Sequence, residues 1–297
     1  MYVAFMTPTT RPEALGIVHE VDLGSATVRY FENGAIEGRV VVFVHGLLVN
    51  ADLWRHVVPA AVEAGLHTFT VDWPLGSHSI PVPEADLTPP GVADLIAAFL
   101  EKLDLTDVTI VANDTGGAIT QILMTRHPER IGGVVLATCD AFERFFPPAF
   151  ALLPALAKAP GSMAALTQVI RPKLMQRLPI TFGWVSKRPI APETVRSYLG
   201  PSRHNRAVRK DLARFLKTVD KKHTFAAAEK LPAFDKPVLL AWASEDRLFP
   251  LSLANRLAEK LPNATIVEIA DSYTFIPEDR PAELAAHIVE FVTRVGA

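Results

Sequence analysis

Apolar runs separated by stretches of helical spacing repeat along the first half of the chain. Residues 39–44 form a nearly continuous apolar run, which is typical of a strand buried on both faces, and 67–72, 108–114 and 131–138 are predicted as further strands. Two shorter strands are predicted before them, and helical spacing lies between the runs. This alternation of strand and helix predicts an α/β fold with a mainly parallel, doubly wound sheet.

The alternation stops after the sixth predicted strand. From 141 to 231 the sequence is helix-like, interrupted by prolines, and contains no clear strand pattern. Strand and helix alternate again from 237 to a closing helix over 281–295. The pattern predicts a core formed by residues 1–140 and 232–297, with a helical lid (cap) at 141–231 inserted after the sixth core strand.

One junction between a strand and a helix carries a candidate reactive group. The run 108–114 ends abruptly at Asp114, and Thr115-Gly116-Gly117 leads into a helical pattern. A sharp turn of this kind lifts one side chain above the C-terminal edge of a parallel sheet, and small neighbours let strand and helix approach closely. The alternative is an ordinary aspartate that caps the helix.

Composition excludes several classes of protein. The chain has 297 residues, of which 49% are apolar, and a net charge of −2, which argues against a general nucleic-acid binder. The single cysteine, Cys139, excludes an intramolecular disulfide and Cys-based zinc sites. We find no signal peptide pattern, and prolines interrupt the longest apolar stretch. We therefore expect a cytoplasmic protein without cofactor, nucleic-acid partner or membrane partner, and a homodimer stays open.

The charge of the predicted lid is one-sided. Between Arg171 and Lys222 there are 14 Lys/Arg residues against 3 Asp/Glu residues. One interpretation is a solvated helix face. The other is an electrostatic field that favours an anionic substrate or partner.

The junction at Asp114 resembles the nucleophile elbow of α/β-hydrolases, with Ala112 in place of the first glycine. With its lid and resumed sheet, nearly the whole chain resembles the haloalkane dehalogenase and epoxide hydrolase branch, in which the nucleophile is aspartate. The resemblance implies that Asp114 attacks carbon and forms an ester, which activated water then hydrolyses.

The resemblance also implies a set of supporting groups. His45-Gly46 matches the family's His-Gly, so the N–H groups of Leu47 and Thr115 would form the oxyanion hole. We interpret His45 itself as a structural histidine that fixes this loop. Gly46, the residue after His45, belongs to the same motif.

The family's acid position after the seventh strand holds Asp246, and Asp140 stands close to an alternative acid position after the sixth. For Asp140 a cap on the first turn of the lid is an equal interpretation. The family places its catalytic histidine seven residues before a proline that is here Pro281. That position is Thr274, so the triad histidine is missing.

Further departures concern the substrate and the base. Dehalogenases hold the halide with a Trp and often an Asn at positions that are here Thr115 and Leu47, which disfavours halide removal. Epoxide hydrolases use lid tyrosines, for which the chain offers Tyr198, and Tyr273 lies beside the histidine position. His78, after the fourth strand, is the candidate replacement base, with a surface loop histidine as the alternative.

Three functions are consistent with these residues. The first is a hydrolase of epoxide-hydrolase type that acts on a small molecule through Asp114 with a non-standard base. The second is a cofactor-free lyase, isomerase or cyclase in which Asp114 only moves protons. The third is a non-catalytic ligand-binding protein. In each, carboxyl groups crowded under an apolar lid should raise one another's pKa.

Overall fold

The apolar runs form the strands of one eight-stranded sheet. A computed structural model describes residues 11–295. The strands are β1 Ile17–Asp22, β2 Thr27–Asn33, β3 Val40–Val44, β4 His67–Val71, β5 Val108–Asp114, β6 Ile131–Cys139, β7 Val238–Ala243 and β8 Ala264–Ile269. Their order is β1-β2-β4-β3-β5-β6-β7-β8. β2 pairs antiparallel with β1 and β4, and all other pairs are parallel, so the predicted mainly parallel sheet is confirmed.

Helices cover the sheet and explain its apolar runs. Every residue of β6 is buried, as is every residue of β5 before Asp114. Strands covered on both faces have no solvent side, so their sequences do not alternate. The helices are α1 Arg11–Leu15, α2 Val58–Glu63, α3 Pro89–Lys102, α4 Thr115–Arg126, α5 Leu153–Leu156, α6 Ser162–Val169, α7 Lys173–Gln176, α8 Pro192–His204, α9 Arg206–Thr218, α10 Lys221–Lys230, α11 Leu251–Ala258, α12 Ile276–Asp279 and α13 Pro281–Val295.

Local sequence signals set where these helices begin. Thr88 caps α3 by accepting a hydrogen bond from the Gly91 N–H at 3.1 Å, and two prolines occupy its first turn. Proline is favoured there because its missing N–H would have no partner in the helix anyway. α4 begins at Thr115, directly after β5, so the turn between them is as sharp as the sequence predicts.

Helices α5 to α10 lie between β6 and β7, and the described residues of this insertion contain no strand. α5, α6, α8 and α9 pack on one another. α10, which the predicted lid range includes, packs against α4 beside the sheet instead. Over residues 11–295 we find no helix with the length and apolar character needed to cross a bilayer.

Much of the lid's positive charge lies on the outer face of α9. Leu212 and Phe215 turn inward and are fully buried. Arg206, Lys210 and Lys217 are exposed on the opposite side. For this helix the arrangement is that of a solvated polar face.

Buried polar groups attach the lid to the core. Arg55 forms two hydrogen bonds of 2.7 Å with the Glu278 carboxylate, and Tyr198 of α8 donates to the same carboxylate at 2.6 Å. Asp279 accepts a hydrogen bond from the Lys187 N–H at 2.8 Å. Because Glu278 and Asp279 belong to α12, these contacts join the lid to the loop that follows β8.

Candidate active site

Asp114 occupies the turn between β5 and α4 with an unusual backbone conformation. Its φ of 55° and ψ of −134° lie in a region that costs energy for any residue except glycine. Its side chain makes no capping hydrogen bond, so it is not the ordinary helix cap of the alternative interpretation. Gly46 lies so close that a Cβ there would be 2.1 Å from Asp114 Oδ2. The absence of a side chain at Gly46 therefore lets the carboxyl approach the His-Gly loop.

Two backbone N–H groups hold this carboxyl. Leu47 N–H donates to Asp114 Oδ2 at 3.2 Å, and the Thr115 backbone N–H contributes a second hydrogen bond. The structure thus brings the two predicted oxyanion-hole groups, the N–H groups of Leu47 and Thr115, to the carboxyl of Asp114 itself.

His45 stabilises the loop that carries Leu47. Its Nε2 accepts a hydrogen bond from the Trp73 N–H at 2.9 Å, and its Nδ1 lies 2.8 Å from the Gly46 carbonyl oxygen. Accepting at Nε2 and donating at Nδ1 fixes the neutral tautomer. The ring is fully buried, which fits the structural role expected for it.

Burial is the largest influence on Asp114. It raises the pKa of the carboxyl to about 7, and the negative charge of Asp246 adds to the rise. The N–H groups of Leu47 and Thr115 act in the opposite direction, because they stabilise the charged form. Near neutral pH, Asp114 is therefore divided between its acid and its carboxylate.

Thr274 occupies the position of the missing histidine. It is fully buried, and its hydroxyl donates to Asp246 Oδ2 at 2.7 Å. Its carbonyl oxygen accepts a hydrogen bond from Asn113 Nδ2 at 2.7 Å. Asn113 thus anchors the loop, a role that no signal in the sequence indicates.

Asp246 is well supplied with hydrogen bonds. Its Oδ1 accepts from the N–H groups of Leu248 and Phe249 at 2.7 and 2.6 Å. Burial nevertheless raises its pKa to about 6, against the effect of these donors and of Thr274. Asp246 is consequently the more acidic of the two carboxyls.

Asp140 is the third carboxyl of the site. It is fully buried, and among the described residues neither carboxylate oxygen has a hydrogen bond of normal geometry. Burial, with the charge of Asp114 next in size, raises its pKa well above the usual range, while the Thr115 hydroxyl lowers it. The side chain does not cap the first turn of the lid, which begins after Ala141 without a side-chain cap.

Three other predicted site residues lie elsewhere. His78 lines a separate cleft and faces Asp211 of α9, with 3.3 Å between Nε2 and Oδ2, so it is not placed as a base for Asp114. Tyr198 donates to Glu278 and does not line the cavity beside Asp114. Tyr273 lies under Arg247, whose guanidinium carbon is 4.8 Å from the ring centroid.

The cavity beside Asp114 is almost entirely apolar. It holds about 630 Å³ of space between atoms, its open mouth included. Aromatic and aliphatic side chains form most of the wall, among them Phe146, Phe150, Phe182 and Phe275. Within residues 11–295, the polar side chains of the wall are those of Asp114, Thr115 and Thr181. Neither a tyrosine nor a tryptophan from the described residues reaches it, so the wall lacks the side chains that epoxide hydrolases and dehalogenases use as donors.

No group of three or more His, Cys, Asp or Glu side chains in the described part of the chain could hold a metal ion. The reactive equipment beside the cavity is thus a carboxyl, two backbone N–H groups and hydroxyl groups.

Comparison with known proteins identifies the family and the fold of the chain. A family model described as alpha/beta hydrolase fold matches residues 39–281. An uncharacterized hydrolase of Bacillus subtilis, YugF, is 26% identical over 274 residues, covering 89% of this chain and 93% of the relative. A cis-3-alkyl-4-alkyloxetan-2-one decarboxylase of Shewanella oneidensis is 27% identical over 287 residues, which cover 93% of this chain and 88% of the relative. The crystal structure of haloalkane dehalogenase DbeA from Bradyrhizobium elkani superposes with a TM-score of 0.79 at 19% identity. The superposition covers 94% of this chain and 98% of the dehalogenase.

Proposed function

Because the chain belongs to the α/β-hydrolase family and resembles its haloalkane dehalogenase branch, we propose that Asp114 is the nucleophile of a small-molecule hydrolase. The carrying observation is the arrangement of its carboxyl. Its Oδ2 accepts a hydrogen bond from the Leu47 N–H, the Thr115 N–H also donates to the carboxyl, and the side chain lines an apolar cavity.

The substrate class that fits best is a small apolar epoxide. The ionised carboxylate of Asp114 attacks a ring carbon, the ring C–O bond breaks, and the new alkoxide takes a proton from water. Ring strain drives this step without a leaving group that needs a dedicated site. The product is an alkyl ester whose carbonyl oxygen stays at the two N–H groups, where charge develops when water attacks.

Hydrolysis of that ester is the slow half of the reaction. A threonine hydroxyl does not accept a proton near neutral pH, whereas histidine titrates near 6.5. The Thr274 hydroxyl is moreover committed to Asp246. Loss of a general base typically slows a step by ~10²–10⁴-fold. We therefore expect the ester on Asp114 to accumulate.

Intact-mass spectrometry after incubation with styrene oxide tests the proposal. The wild-type protein should gain the mass of one epoxide, and peptide mapping should place it on Asp114. Asp114→Asn should gain nothing. Thr274→His should accumulate less adduct and release more diol, whereas the matched Thr274→Ser control should behave as wild type. If the Asp114→Asn variant still forms the adduct, Asp114 is not the nucleophile.

A lyase is the second candidate, and the composition of the cavity wall favours it. A β-lactone, the four-membered ring acted on by the Shewanella oneidensis relative, can fragment to an alkene and carbon dioxide. That reaction consumes no water and no net proton, so it does not need a histidine, and the wall formed by the described residues has none.

The two candidates give different products. A cis-3,4-dialkyl β-lactone should yield alkene and carbon dioxide if the protein is a lyase, with no ¹⁸O taken from labelled water. A hydrolase should yield the ¹⁸O-labelled hydroxy acid. Gas chromatography and mass spectrometry distinguish these outcomes in one incubation.

A further inference from the structure

The outer surface of the lid near the cavity carries several large aliphatic side chains exposed to solvent. We name this group the mouth surface; it comprises Leu152 (73% exposed), Leu156 (46%), Val169 (57%), Leu174 (73%) and Ile180 (60%). Single exposed leucines are common on proteins, but clustered ones mark a site of interaction. Leu156, Val169 and Leu174 belong to the short helices α5, α6 and α7, while Leu152 directly precedes α5 and Ile180 follows α7.

The mouth surface reaches the rim of the cavity. Ile180 itself lines the cavity while more than half exposed, so it lies at the rim. Leu152 is followed by Leu153, and Val169 by Ile170, and both of these following residues line the cavity. Leu156 lies one turn of α5 after Leu153, so four of the five exposed side chains are close to the cavity wall along the chain.

Positive charge accompanies these apolar side chains. Residues 144–192 contain seven Lys/Arg and no Asp or Glu. Lys158, Arg171, Lys173 and Arg177 are exposed, and no carboxylate of the described residues forms an ion pair with them. No lysine or arginine among the described residues lines the cavity. The positive charge therefore faces outward and not toward a substrate inside the cavity.

We propose that the mouth surface docks onto a bilayer of anionic phospholipid. Aliphatic side chains interspersed with unpaired cations match the two layers of such a bilayer, with acyl chains beneath negatively charged headgroups. A second copy of this chain does not fit, because it would place two acid-free cationic surfaces against each other. A polyanion without an apolar phase would leave the leucines in water.

Docking in this orientation places the apolar cavity opening against the acyl region. An apolar molecule dissolved in the bilayer then reaches Asp114 without passing through water. Docking of this kind needs only a surface. The proposal does not depend on the reaction assigned to Asp114, so Asp114→Asn should bind vesicles as wild type does.

Flotation with lipid vesicles tests the docking. Wild-type protein should float with vesicles of phosphatidylcholine and phosphatidylglycerol, float poorly with phosphatidylcholine alone, and be released by salt. Leu174→Ser with Ile180→Ser, and separately Lys173→Gln with Arg177→Gln, should each lower the partition coefficient roughly tenfold or more. A matched control replaces two exposed isoleucines of the core, Ile17 and Ile36 (69% and 80% exposed), with serine and should bind unchanged.

Circular dichroism melting of each variant confirms that it is folded. The proposal is overturned if wild type binds neither vesicle, if it binds both equally, or if the core control loses as much binding as the lid variants. It is also overturned if sedimentation velocity shows a dimer that the Leu174→Ser, Ile180→Ser variant dissociates, since that surface would then join two copies.

Discussion

Asp114 should reduce the stability of the folded protein at neutral and alkaline pH. Folding moves its carboxyl from water to a buried position against two other acids, and its pKa rises from 3.8 to about 7. Asp114→Asn keeps an oxygen that can accept the Leu47 N–H but cannot ionise. We therefore expect the variant to be more stable than wild type in a strongly pH-dependent way.

The size of the effect follows from the pKa difference. Below pH 3.8 the carboxyl is protonated in both folded and unfolded chains, so it contributes no difference between them. As pH rises through the window from 3.8 to about 7, the unfolded chain ionises first and wild type loses stability at about 1.36 kcal/mol per pH unit. Above pH 7 the loss reaches a plateau of about 4 kcal/mol.

Urea unfolding at several pH values between 5 and 8.5 measures this difference. The matched control is Asp104→Asn, because Asp104 also has a positive φ, of 50°, but its side chain is 89% exposed. Any benefit of asparagine in that backbone conformation is independent of pH and appears in the control. A stability difference for Asp114→Asn that stays flat from pH 5 to 8.5 would refute the reasoning.

Three further outcomes follow from the site and the lid. The rate of styrene oxide adduct formation should rise about tenfold from pH 6 to pH 8, because the ionised fraction of a group with a pKa of about 7 rises by that factor. Time-resolved mass spectrometry measures this rate, and a rate that falls with pH would instead indicate that Asp114 acts as a proton donor. Arg55→Ala should lower the free energy of unfolding in urea by roughly 3–5 kcal/mol, because it leaves the buried Glu278 carboxylate without its cationic partner. The double variant with Glu278→Gln should recover part of this loss. An Arg55→Ala variant as stable as wild type would contradict the prediction. Bromide release from short bromoalkanes should be at least roughly a hundredfold slower than in enzymes with two halide donors, at on the order of 1.5–3 kcal/mol per missing hydrogen bond; a halide assay showing ordinary dehalogenase rates would contradict this.

The sequence was sufficient for the fold because burial on both faces leaves a direct record in it. Strands such as β5 and β6 can be recognised without knowledge of their neighbours, since most of their positions are apolar. The position of Asp114 follows for a related reason: the apolar run must end where the chain leaves the sheet. Thr274 is identified only through the family resemblance, which places a histidine seven residues before the proline that is here Pro281.

The positions of His78 and Tyr198 could not be obtained in this way. The sequence places both near the lid, but the direction of each side chain depends on a partner that is 80 or 133 residues away. His78 faces Asp211, and Tyr198 faces Glu278. Such pairs join the lid to the core in three dimensions, and a linear pattern of apolar and polar positions contains no information about them.

Three buried carboxyls can share this site only if they do not all ionise together. Burial raises the pKa of Asp246 to about 6 against the effect of three donors, and that of Asp114 to about 7 against the effect of two. Burial also raises the pKa of Asp140, whose carboxylate oxygens have no hydrogen bond of normal geometry in the described structure, well above the usual range, and the charge of Asp114 adds to that rise. The environment of each carboxyl therefore sets its role. A carboxyl with a pKa near neutrality can act as a general base. The proposed ester would nevertheless occupy Asp114, so the substrates that the site suits are those that bring their own driving force, as a strained ring does.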